Sequence, residues 1–180
     1  MTTYCQYVLE HPEDALNKRY HDSEYGFPLQ DDNLLFERLI LEINQAGLSW
    51  ITILKKADNF RKAYDGFDLE TVAGYGESDR ARLLADAGVI RNRLKVNAAI
   101  ENARRILELR REFGSFKSWL EAHHPRDKQA WTKLFKNNFV FTGGEIVGEF
   151  LLSTGYLPGA HDDDCPIYHE IARLGPAWMR

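Results

Sequence analysis

An apolar helix with one acid inside its apolar face constrains this chain more than any other feature. Leucine and isoleucine recur at helical spacing from about Asp31 to Ala46. At 3.6 residues per turn, Leu35, Leu39, Glu42 and Ala46 share one side. The helix stops at Gly47 and restarts at Ser49-Trp50, which leaves Leu48 at the tip of a tight corner. An acid among leucines needs its charge satisfied, by a ligand or by a neighbour. Arg38, one turn before Glu42, supplies the ordinary explanation, an exposed Arg–Glu pair of small energetic weight. The pattern leaves both explanations open.

Helix signals continue along the chain. Pro12-Glu13-Asp14, Asp68-Leu69-Glu70 and Ser78-Asp79 read as helix starts. Arg93 to Phe113 reads as a long amphipathic helix with Val96, Ile100, Ala103, Ile106 and Leu107 on one side. Ser115 to His123 and Asp127 to Phe135 read as two shorter ones, each carrying a tryptophan, Trp119 and Trp131. Only Asn138 to Phe141 looks strand-like, and His124-Pro125-Arg126-Asp127 reads as a flexible turn. The expected class is all-α.

A chain of 180 residues with 44% apolar content can build one domain, or two small lobes sharing a core. No apolar run has membrane-spanning length and no basic-then-apolar start is present, so a cytoplasmic protein without a membrane partner is expected. A net charge of −4 argues mildly against nucleic acid as partner. The basic residues nevertheless cluster, at Lys55-Lys56, at Arg91, Arg93 and Lys95, and at Arg104-Arg105 and Arg110-Arg111.

Cys5 and Cys165 are the only cysteines. Two solitary buried thiols are the usual outcome for such a pair in a reducing compartment. Each, however, has a histidine in ligand-friendly context: His21 follows Cys5, and His161 precedes Cys165 by four positions. Two Cys and two His would make a closed tetrahedral set, and closed sets are structural rather than catalytic. His11, His123, His124 and His169 have no such partners and read as surface residues.

Four segments, HDSEYG (21–26), LEINQAGLSWITILKK (41–56), DAGVIRNRLK (86–95) and FVFTGG (139–144), resemble in this order the 3-methyladenine DNA glycosylase I family. The resemblance runs from Cys5 to Cys165, and QAGLSWITILKK is its most specific part. The chain departs from the family pattern at Tyr7 and Tyr25, where tryptophan is usual. It departs again at Ile43-Asn44 in place of Gly-Gln, and at Leu151-Leu152-Ser153 in place of Met-Gln-Ala.

The resemblance implies a compact two-lobed fold of the helix-hairpin-helix glycosylase type, a single domain over 1–180. A lobe from about 57 to 125 would carry the hairpin, and both termini would form the other. It implies one structural zinc per chain held by Cys5, His21, His161 and Cys165, clipping the two ends together. The implied activity is hydrolytic removal of 3-methyladenine from duplex DNA in the bacterial cytosol by a monomer. No lysine is placed for covalent chemistry, so the DNA strand would stay intact.

A base inside the stack cannot be reached and must be flipped into a pocket. Tyr20 and Trp50 would stack on it, with Tyr25 at the rim, and Glu42 as a carboxylate would accept from its edge and favour a cationic base. Leu48 would fill the gap left behind. Gly88, Arg91, Arg93 and Lys95 would grip the phosphates. Two alternatives remain at this level: a glycosylase for a different lesion, and a zinc-clipped helical DNA-binding module without catalysis.

Overall fold

The computed structural model describes residues 1–180. The helix around Glu42 runs from Asp32 to Gln45 (α3), and its start is set by Asp31, whose carboxylate accepts from the amides of Asn33 and Leu34. That satisfies two of the donors a helix N-terminus leaves open. Leu35, Phe36, Leu39, Ile40 and Ile43 are fully buried, so α3 is apolar on most of its circumference, as a central helix must be. Around it pack α4 (Trp50–Ala63), α5 (Leu69–Ala73), α7 (Arg93–Phe113), α8 (Phe116–His123) and α10 (Gly144–Ser153).

The remaining helices are α1 (Tyr4–Glu10), α2 (Ala15–Ser23), α6 (Glu77–Ala85), α9 (Lys128–Asn138) and α11 (Pro166–Arg173), with 3-10 turns at Asp65–Phe67 and Ala177–Met179. Side chains cap most of them: Asp14 for α2, Asp68 for α5, Ser115 for α8 and Asp127 for α9 where the sequence indicates, and also Thr3 for α1 and Asn92 for α7. No helix is long and apolar enough to cross a membrane.

The fold is all-helical, which corrects the strand expected at 138–141. Asn138 ends α9, and Val140 meets no neighbouring strand. Instead the buried Asn102 side chain accepts from the Val140 amide at 2.9 Å and donates to its carbonyl at 3.0 Å. One amide thus takes both hydrogen bonds that a β partner would have taken. Local sequence cannot reveal this, because Asn102 lies on α7. Two boundaries also move: α6 begins at Glu77, one residue early, and α9 runs about one turn past Phe135.

The two chain ends lie side by side. The Gly26 amide donates to the Ser153 carbonyl at 2.9 Å and the Trp178 amide to the Gly155 carbonyl at 3.1 Å. The Asp162 amide points at Cys5 Sγ, 3.4 Å away.

Candidate active site and metal centre

α3 brings Glu42 into a cleft of about 790 Å³ that is also lined by Tyr4, Tyr20, Tyr25, Trp50 and Glu149. Glu42 is 4% exposed, and no side chain or backbone group pairs with it. The Arg38 explanation fails. Arg38 is itself buried, gives Nη1 to the Ser153 carbonyl at 2.9 Å and lies 3.8 Å from Glu24, with its guanidinium 5.3 Å from the Tyr20 ring centroid. Burial first, and the charge of Glu149 second, push the Glu42 carboxyl up to about 8, with Arg38 opposing. The side chain therefore holds a proton at neutral pH, where the sequence reading expected a carboxylate. An acid in this position ionises readily only beside a positive charge.

The aromatic wall is continuous. Tyr20 and Trp50 have ring centroids 5.1 Å apart, Tyr20 and Tyr25 are at 5.7 Å, and Tyr4 meets Tyr25 edge-on at 5.3 Å. Tyr20 Oη and Trp50 Nε1 are buried and find no partner within the protein. Each such orphan costs about 1–3 kcal/mol unless a ligand or water meets it, and these two differ from the orphans at Tyr64 and Trp131 in the core by lining an open cleft. A second cleft of about 380 Å³ lies against the same Tyr20 and Trp50. Its acids are already matched, Glu37 to Arg61 at 2.7 Å, Asp58 to Arg61 at 2.9 Å and Glu24 to Arg38 at 3.8 Å. Only the Glu42 cleft presents unmet polar groups beside an unpaired acid.

The corner after α3 is held tightly. Gly47 has φ +78°, a conformation that side-chain-bearing residues rarely adopt, and Leu48 projects exposed beyond it. The Leu48 amide donates to the Gln45 carbonyl at 2.8 Å, and Gln45 Nε2 donates back to the Leu48 carbonyl at 2.9 Å.

The α6–α7 turn differs from expectation in two respects. A side chain on Gly88 would come within 2.9 Å of Asp86 Oδ1 and 3.1 Å of Asn59, so it would crowd the side chains packed against this turn. Its amide, however, is already given to Asp86 at 2.7 Å. The amides of Ala87, Ile90 and Arg91 have no partner, the last two beside the exposed Arg91 and Arg93 side chains.

Lys95 is the clearer correction. It is 5% exposed, and its Nζ donates to the carbonyls of Asn44 and Ala46, both at 2.7 Å. A cation there satisfies carbonyls that the end of α3 leaves open and suits the negative end of the helix dipole. Lys95 therefore fastens α7 to the corner that carries Leu48. Lys95→Ala should lower folding stability by about 1–3 kcal/mol through two orphaned carbonyls, with the salt dependence of DNA binding unchanged. Chemical denaturation and a salt titration measure the two effects.

The Cys and His residues converge. Ligand atoms of Cys5, His21, His161 and Cys165 all lie within 4.8 Å of one another, and all four residues are buried. Cys5 Sγ is 3.3 Å from His21 Nε2 and 3.6 Å from His161 Nδ1, and Cys165 Sγ is 3.8 Å from each. Ligands about 2.0–2.3 Å from a tetrahedral ion are separated by about 3.4–3.8 Å, so the set fits a metal. The other ring nitrogens are fixed from behind: His21 Nδ1 lies 2.8 Å from Asp22, and His161 Nε2 donates to the Tyr25 carbonyl at 2.6 Å. The cluster also adjoins the aromatic wall, since Tyr4 precedes Cys5, Tyr20 precedes His21, and Tyr25 takes the His161 bond.

The structure thus brings Tyr20, Tyr25, Glu42 and Trp50 together, sets Leu48 beside them, and keeps Gly88, Arg91 and Arg93 on a separate turn. Of the departures from the family pattern, Tyr7 lies outside the cleft and donates to Asp14 at 2.9 Å, and Asn44 and Ser153 are fully buried. Tyr25 lines the cleft. Sequence reasoning missed Tyr4 and Glu149. Glu149 carried the same signal as Glu42, an acid inside the apolar run IVGEFLL.

Residues 10–142 match the family described as methyladenine glycosylase. The chain is 38% identical to DNA-3-methyladenine glycosylase 1 of Escherichia coli (strain K12), over 87% of this chain and 93% of that protein. Its fold matches a crystal structure of 3-methyladenine DNA glycosylase I with a TM-score of 0.78 and 35% identity, over 86% of this chain and 94% of that one. A variant of 3-methyladenine DNA glycosylase I in complex with 3-methyladenine matches with a TM-score of 0.77 and 31% identity, over 86% and 93%.

Proposed function

This chain belongs to the methyladenine glycosylase family, and on that premise we propose that it hydrolyses the N-glycosidic bond of 3-methyladenine in alkylated duplex DNA. The observation that carries this reading is Glu42, an unpaired and buried carboxyl facing an aromatic cleft with room for a flipped purine. Methylation at N3 makes the base cationic and a good leaving group. Tyr20 and Trp50 attract that cation through their ring faces, and Glu42 accepts from the base edge and ionises as the cation arrives. When the C1′–N9 bond breaks, its electron pair goes to N9, the base leaves neutral, and water adds to the sugar. No lysine lines the cleft, so hydrolysis without strand cleavage is expected.

On the DNA side, Leu48 enters the gap and the free amides of Ile90 and Arg91, with the Arg91 and Arg93 side chains, hold a phosphate. Arg93 opens the first turn of α7, where a cation opposes the helix dipole, a placement that favours an anion nearby. The segment of about 57–125 would act as the hairpin-bearing lobe and the termini as the other. The donor set of two thiolates and two imidazoles suits zinc, bound as a structural ion by Cys5, His21, His161 and Cys165.

Chromatography of bases released from methylated duplex DNA tests the reading. 3-Methyladenine should appear with no strand break before alkali treatment. Release of another base instead would redirect the cleft to a different lesion, and release of none would leave a DNA-binding module. Arg91→Ala or Arg93→Ala should weaken duplex binding and reduce the slope of log affinity against log salt by about 1, with free-base binding unchanged. Unaltered duplex affinity in both variants would make the α6–α7 turn a plain connection.

A further inference from the structure

The charged residues lining the cleft are all acids. Glu42, Glu145 and Glu149 face it from α3 and α10, and no lysine or arginine lines it. Glu145 is exposed and sits 3.2 Å from Lys128 Nζ, so its charge is answered outside the cleft. Glu149 is half-buried and forms no ion pair. Its charge reaches Glu42 and adds to burial in raising that carboxyl's titration. Two carboxyls directed at one cavity that no lysine or arginine lines are mutually unfavourable, Arg38 and Lys128 acting on them only from outside it, and a ligand that brings positive charge into the cavity relieves them together.

We propose that Glu149 is a specificity-determining residue of this cleft, a second carboxylate that selects cationic, N-alkylated purines still joined to their sugar over neutral bases. The proposal rests on the glycosylase reading and deepens it. It assigns the two acids different tasks. Glu42 touches the base edge and matters for any purine in the cleft, charged or neutral. Glu149 contributes through charge and so discriminates: it favours the alkylated nucleotide, whose ring is positive, over normal adenine. It gives up that attraction once N9 has taken the bonding pair and the base is neutral, which eases product release. Placed beside Tyr25, where the chain departs from the family's tryptophan, it also makes the cleft repel phosphate, so the backbone must be gripped elsewhere. The facing groups are Glu42 and Arg38 on α3, Tyr20 on α2, Tyr25 after it, Glu145 on α10 and Lys128 on α9.

Two measurements on wild type, Glu149→Gln, Glu149→Asp and Glu42→Gln form the test: kcat/KM for 3-methyladenine release from methylated DNA, and affinity for free, neutral 3-methyladenine by tryptophan fluorescence at neutral pH. Glu149→Gln should lose about tenfold or more in kcat/KM, the order of one charge–charge interaction in a partly buried site, while free-base affinity stays within about twofold. Glu149→Asp should recover most of the loss, and Glu42→Gln should lose both quantities. Equal losses of excision and free-base binding in Glu149→Gln would make Glu149 a shape residue and overturn the proposal, as would wild-type kcat/KM in that variant. Wild-type protein that releases no base would overturn the glycosylase reading and this assignment with it. Wild-type release with an unaltered Glu149→Gln overturns the assignment alone.

Discussion

Glu42→Gln is expected to reduce excision of 3-methyladenine by about 10²–10³-fold, the usual loss when one preorganised electrostatic group is removed from a reacting centre. The same variant is expected to be more stable than wild type. Glutamine keeps the shape of the protonated acid but never ionises. The sign follows from the shift: the folded-state value of about 8 lies above the ordinary value of 4.5. The folded protein therefore keeps a proton that the unfolded chain releases between those two values. The stability linked to that proton is fully present below about pH 4.5 and is lost as pH rises through about 8. Wild type and Glu42→Gln should melt alike near pH 4.5, and the variant should gain steadily toward pH 8, by about 1–3 kcal/mol against a linkage ceiling of about 5. The pH profile of wild-type kcat/KM should carry a matching rise toward pH 8, reporting the free enzyme's acid. Its absence in Glu42→Gln is checked in the same assay. Normal excision by the variant, or a melting difference that does not depend on pH, would remove Glu42 from the chemistry.

Loss of the metal should have the second large effect. Protein purified without chelator should contain about one zinc per chain, the content of a single closed four-ligand site. Chelation, or Cys165→Ser, should lower folding stability by at least about 3 kcal/mol, since structural zinc sites bind with about 10–16 kcal/mol in peptides that fold around the ion. The ligands tie residue 5 to residue 165, so the loss should appear first as proteolytic sensitivity at both termini. α3 and its apolar neighbours hold Glu42 without help from the cluster, so the surviving folded fraction should keep most of its excision. Metal-free protein with an unchanged melting temperature would overturn the clip.

Much of the fold was legible because helices announce themselves locally. Asp31, Asp14, Asp68, Ser115 and Asp127 stand where the structure puts caps, and α7 has the bounds its apolar periodicity indicates. The failures were all long-range. Asn138 to Phe141 has strand composition, but its backbone partner is the side chain of Asn102. Lys95 belongs to a run of basic residues that reads as a phosphate grip, yet the end of α3 claims it. Glu149 shows the local signal of an acid in an apolar run, but that it shares a cleft with Glu42 depends on a residue more than a hundred positions away on another helix.

The sequence by itself determined the positions of the helices, the corner at Gly47 to Ser49, the family, and the residues able to act as acid, platform and ligand. Those properties depend on neighbours within a turn or on the chemistry of single side chains. Only the tertiary structure decided how these residues are paired. It gave Arg38 to Ser153 and Glu24, which left Glu42 alone, and it gathered Cys5, His21, His161 and Cys165 from both ends of the chain. It also set the protonation of Glu42, because the energy of a buried charge depends on everything packed around it and on no local stretch of sequence.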